Sequence, residues 1–77
     1  SVKAEVIKER SFDPHYLARV SYDDGTNKFI NETVSVTREP PKIEIEYSES
    51  IKKIMDQIDV KKVELEIMKA ILESLLG

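Results

Sequence analysis

Residues 48–76 read SESIKKIMDQIDVKKVELEIMKAILESLL, and the spacing of their apolar side chains settles how the chain ends. Drawn as one helix, the segment would be about 43 Å long at ~1.5 Å per residue. At about 100° per residue, Ile51, Ile54, Met55 and Ile58 form a single stripe. Carried onward, that stripe runs into Lys62, Glu66, Lys69 and Glu73, while Val60, Val63, Ile67 and Ile71 come out on the opposite side. A straight helix would have to change its buried face halfway. The spacing therefore predicts a break near 58–60 and two helices, over about 48–57 and about 60–76. Ser48 and Asp59 stand at the two starts, where their side-chain oxygens can accept from free backbone N–H groups.

The second of these helices carries more apolar surface than one sheet face requires. Val60, Val63, Leu65, Ile67, Met68, Ile71, Leu72, Leu75 and Leu76 cover well over half its circumference, whereas a helix lying on a sheet needs a stripe only a little wider than ~100°. A second copy of the chain is the natural destination for the surplus. The expected oligomer interface is Val63, Ile67, Met68, Ile71, Leu72 and Leu75. On that reading, Ile67→Glu or Ile71→Glu breaks the oligomer by burying an unpaired charge.

Upstream, residues 1–47 read as strands. In the stretch from Val2 to Arg10, Val2, Ala4 and Val6 alternate with Lys3, Glu5 and Ile7, a one-sided sheet pattern. Asp13-Pro14 is a turn signal. The second strand, Tyr16 to Tyr22, puts Tyr16, Ala18, Val20 and Tyr22 on one face. A three-residue Asp23-Asp24-Gly25 loop with a bulge at Gly25 keeps even positions paired with even positions, so the third strand, about 27–37, would bury Ile30, Val34 and Val36. Glu32 then falls on the inner face. Pro40-Pro41 ends that strand, and the fourth, Lys42 to Tyr47, points Ile43, Ile45 and Tyr47 inward. The fold expected is α+β: one domain, 1–77, with a four-stranded, mostly antiparallel sheet followed by two C-terminal helices packed on one face.

Composition narrows the function. The chain has 77 residues, 12 Lys+Arg against 15 Asp+Glu, and a net charge of −3, which argues against a dominant nucleic-acid surface. It has no Cys, excluding a disulfide framework, Cys-based zinc sites and thiol catalysis. Apolar residues make up 40% and charged residues 35%, a globular composition. The Ile, Lys and Glu bias is compatible with a thermophilic host. No apolar run approaches the ~20 residues of a membrane span, and none resembles a signal-peptide core, so a cytoplasmic setting is expected. A domain this small buries only about 60% of its unfolded surface, which favours self-association.

The chemistry-bearing residues read mostly as structure. His15 beside Asp13 could be a general base, but no nucleophile or second His accompanies it and a surface-loop role explains it. Asp23-Asp24-Gly25 lacks the spaced ligands of a calcium loop and is explained by hairpin chemistry. Asn31-Glu32-Thr33 matches the N-glycosylation pattern by chance on this reading. Lys52-Lys53 and Lys61-Lys62 are followed by acidic residues and read as solvated helix surface. Ile7, Leu17 and Phe29 are apolar at odd positions and would form a partner patch on the outer sheet face if the strand order joins them. No catalytic, metal or cofactor site is expected.

The order strand, short helix, tight turn and longer helix in KIEIEYSESIKKIMDQIDVKKVELEIMKAILESLL, residues 42–76, resembles the ribbon-helix-helix pattern of dimeric DNA-binding regulators. The resemblance implies a ribbon with Ile43 and Ile45 inward, a first helix capped by Ser48, and a dimer core on the second helix. The ribbon residues offered to DNA would be Lys42, Glu44 and Glu46, two of which repel a phosphate-rich groove. The first expectation is therefore a non-enzymatic interaction or assembly module, a homodimer or other homo-oligomer that also admits a different protein partner. The regulator is the alternative.

Overall fold

Alternation of apolar and polar residues makes the first half of the chain a sheet, as a computed structural model describing residues 1–77 shows. Strands β1 (Val2–Val6), β2 (His15–Asp23), β3 (Lys28–Glu39) and β4 (Lys42–Glu46) pair antiparallel in the order β1-β2-β3-β4. Helix α1 (Glu49–Lys52), a 3₁₀ turn at Met55–Gln57 and helix α2 (Val60–Leu76) follow. The core is the sandwich of one sheet face with these helices: Tyr16, Ala18, Val20, Tyr22, Phe29, Val34 and Val36 from the sheet, and Ile51, Val63, Ile67 and Ile71 from the helices. The architecture is thus the α+β arrangement expected. No helix is long and apolar enough to cross a membrane.

The even-numbered residues of β2 are buried, as the pattern predicts. The third strand departs from it. Val20 pairs with Glu32 but Tyr22 pairs with Phe29, so β3 spends three steps where β2 spends two. The extra residue is accommodated at Asn31, whose φ is 51°, the left-handed region that Asn tolerates better than most. Its N–H donates to Ser21 Oγ at 3.0 Å. The slip inverts the faces. Phe29 turns into the core and stacks on Tyr22 with ring centroids 5.4 Å apart, while Ile30 is 60% exposed rather than buried. The expected bulge at Gly25 is absent. The hairpin loop is Asp24–Asn27, with Gly25 at φ 88° and Asp24 N–H donating to the Asn27 carbonyl.

The first strand is shorter than expected. It ends at Val6 and a 3₁₀ turn occupies Lys8–Arg10. Ser11 closes it: its hydroxyl accepts from Leu17 N–H at 3.0 Å and donates to the Ile7 carbonyl at 2.7 Å, occupying the next position of the ladder. Glu32 is half-buried and accepts from Ser48 Oγ at 2.8 Å, so the inner carboxylate is met by the residue that starts α1.

The helix break stands where the stripe predicts. The first helical segment is one α turn and one 3₁₀ turn rather than a continuous helix over 48–57. Ile51, Ile54, Met55 and Ile58 still face the core, because a three-residue turn preserves i, i+3 alignment. Residues 42–76 keep the order strand, short helical segment, longer helix, with β4 hydrogen-bonded into the sheet beside β3 and α1 a single turn.

Candidate functional site

The surface that the sequence singles out is the outward side of α2, a helix tied to the sheet at its N-terminus. Asp59 caps the helix by accepting from Lys62 N–H at 3.2 Å. Its own N–H donates to Tyr22 Oη at 3.0 Å, and that hydroxyl donates to Asp24 Oδ2 at 2.7 Å. The hydrogen bond to Asp24 keeps the Tyr22 hydroxyl above its ordinary pKa. Asp24 is held below the carboxylate range by the Asn27 N–H, then by Tyr22 and by the Thr26 N–H. A second tie joins Asn27 Nδ2 to the Gln57 carbonyl at 3.3 Å. The β2–β3 loop and the end of β2 therefore hold the start of α2, and the burial of Val63, Ile67 and Ile71 turns that row to the sheet.

With that rotation, the helix divides its apolar residues into two sets. Val63, Ile67 and Ile71 are buried on the sheet. Leu65, Met68, Leu72, Leu75 and Leu76 are 50%, 41%, 57%, 46% and 88% exposed. The six-residue interface expected from sequence is thus two surfaces: Val63, Ile67 and Ile71 belong to the protomer's own core, and Met68, Leu72 and Leu75 face outward. Leu65 and Leu76 join the outward set. The correction has a simple cause. At 100° per residue the 63/67/71 row turns to the sheet together, Leu65 and Leu72 fall on the far side, and Met68 and Leu75 fall on the flank between. Spacings of three, four and three residues are those of a helix–helix seam.

Ile7, Leu17 and Phe29 do not form an outer patch. Phe29 lies in the core cluster, and Ile7 is 6% exposed. The bulge at Asn31 moves Phe29 to the other face, and Ile7 is buried where the 3₁₀ turn at Lys8–Arg10 begins.

The polar candidates have structural partners. Asp13 accepts from Arg38 at 2.8 and 2.9 Å and from Tyr16 Oη at 2.6 Å; Arg38, then Tyr16, hold it below its ordinary pKa. His15 is exposed, and its Nδ1 lies 3.5 Å from Thr37 Oγ1. Asp23 and Asp24 accept from the N–H groups of Gly25, Thr26 and Asn27 within their own loop. No three His, Asp or Glu side chains converge as a metal-binding group. A groove of about 560 Å³ runs along β1, with Glu66, Lys69 and Glu73 of α2 on one wall and Lys3, Glu5 and Arg19 on another.

Fold and surface together define a small α+β protein with one apolar helix face in its core and another outside it. Compared with known proteins, the chain matches no family model, no curated protein and no solved structure.

Proposed function

We propose that the chain is a non-enzymatic assembly module that self-associates through the outward face of α2, in a cytoplasmic setting. The observation that supports this reading is the exposure of Leu65, Met68, Leu72, Leu75 and Leu76 on a helix whose sheet-facing side is already filled. Monomeric proteins rarely leave contiguous apolar patches of more than a few hundred Å² open to water, and seam spacing lets two such helices interlock. The dimer is the simplest assembly with one such contact, since a two-fold axis makes one patch its own partner.

The chain has no cysteine, which makes a single-cysteine scan direct. Cysteine placed in turn at Leu65, Met68, Leu72 and Leu75 is expected to give covalent dimer on mild oxidation, with little at Lys53 or Glu44. Equal yield at all six positions would contradict the proposal.

A further inference from the structure

The sheet has an open edge at β1, the outer strand of the order β1-β2-β3-β4. Ser1 and Asp23 exchange hydrogen bonds, and Ile7 N–H donates to the Leu17 carbonyl, so the odd positions of β1 bond to β2. In an antiparallel pair the intervening residues turn their N–H and C=O the other way. Val2, Ala4 and Val6 therefore present backbone donors and acceptors at the free edge, in the groove where Ala4 and Val6 lie beside Glu66, Lys69 and Glu73. Such a row is a template for another strand.

We propose that β1 pairs edge to edge with β1 of a second copy, about a two-fold axis at Ala4. The segment VKAEV is self-complementary in that register. Val2 lies opposite the partner's Val6, and Lys3 lies opposite the partner's Glu5 twice over. The parity is right, because even positions meet even positions and these carry the free backbone groups. The register is also specified. A shift of one step in either direction that keeps this parity places Lys3 on Lys3 or Glu5 on Glu5, and like charges directly opposite one another are unfavourable.

A second element carries charges in a self-complementary order. Glu66, Lys69 and Glu73 of α2 line the groove beside this edge, and with Lys62 they alternate in sign at helical spacing. The two-fold that reverses β1 also reverses α2. Read against its own reverse, this row sets Lys against Glu at every position, so its charge order is self-complementary as that of β1 is. Within one chain these groups are only partly engaged: Lys69 Nζ reaches Glu66 at 3.2 Å, and Glu5 reaches Arg19 at 3.5 Å. This surface is distinct from the outward apolar face of α2. Two isologous contacts on one chain build either a closed tetramer or an open filament.

The test uses the full chain carrying Leu72→Glu, which removes the helix-face contact, and reads dissociation constants by sedimentation equilibrium. The Leu72→Glu chain is expected to dimerise still. Adding Lys3→Glu, or separately Glu5→Lys, weakens that dimer roughly tenfold, as two attractive cross-strand pairs become repulsive. An equimolar mixture of the two charge variants regains the original affinity, because each presents the charges the other lacks. Circular dichroism confirms that each variant is folded. A Leu72→Glu chain that is monomeric at every concentration overturns the proposal, as does a mixture no heavier than its components. In the otherwise unsubstituted chain, a mass lowered by Lys3→Glu but not by Leu72→Glu overturns the helix-face reading and leaves this one standing.

Discussion

Tyr47 follows β4 with its hydroxyl buried and without a hydrogen-bond partner. Burial, and then the charge of Glu64, push its pKa up to about 12. A hydroxyl without a partner is a cost the fold carries, so Tyr47→Phe is expected to leave stability at pH 7 unchanged or raise it by up to about 1 kcal/mol. The alkaline behaviour follows from the sign of the shift. With the folded value above the unfolded value near 10, the unfolded chain gives up this proton first. The contribution is whole below about pH 10 and is lost as pH rises through about 12. Urea unfolding of Tyr47→Phe is therefore expected to depend less steeply on pH over that range than the parent. The slope is not abolished, because Tyr16 and Tyr22 are raised as well. An identical slope would contradict the assignment. Single residues also mark where pattern reading stopped. The alternation rule assigns Ile30 to the core and Phe29 to the surface; one left-handed angle at Asn31 exchanges them. Periodicity carries no trace of such a slip. The one available sign was an Asn, which tolerates positive φ, inside a strand that otherwise alternates.

At the scale of elements, the break near 58–60 was legible because a straight helix cannot bury Ile51 and Ile67 on the same side. Asp59 was legible as a cap for the chemical reason that a carboxylate before a helix satisfies a free N–H. What periodicity omits is rotation. It shows that α2 has two apolar faces but not which one meets the sheet, and that choice depends on packing against strands far away in sequence, with a tie from Asp59 to Tyr22 at the start of the helix. Hence the expected interface mixed core residues with exposed ones. Asp59→Ala keeps the backbone N–H that reaches Tyr22 but removes the cap to Lys62. It is expected to destabilise the chain by about 1 kcal/mol, read as a lower urea midpoint with an unchanged slope. A midpoint equal to the parent's would show that the cap contributes nothing. The length of α1 was misjudged for a related reason: i, i+3 spacing is satisfied equally by a continuous helix and by an α turn followed by a 3₁₀ turn.

At the scale of the whole molecule, 77 residues make a sheet with one face filled by a helix that is apolar on both sides. The inward row, Val63, Ile67 and Ile71, stabilises the protomer; the outward row is expected to stabilise only an assembly. The two rows should therefore separate experimentally. Ile67→Ala is expected to cost about 2–5 kcal/mol of folding stability, as truncations of buried Ile do. Leu72→Glu places its charge on a residue that is 57% exposed in the single chain, so it should leave the fold intact and act on association alone. The most direct measurement is solution mass by light scattering, over a dilution series, for the unsubstituted chain and for Leu72→Glu. The former is expected to have a mass of at least two chains, and the latter a lower mass with unchanged circular dichroism. A single-chain mass for the unsubstituted protein at every concentration, or the same multiple-chain mass for both, would contradict it.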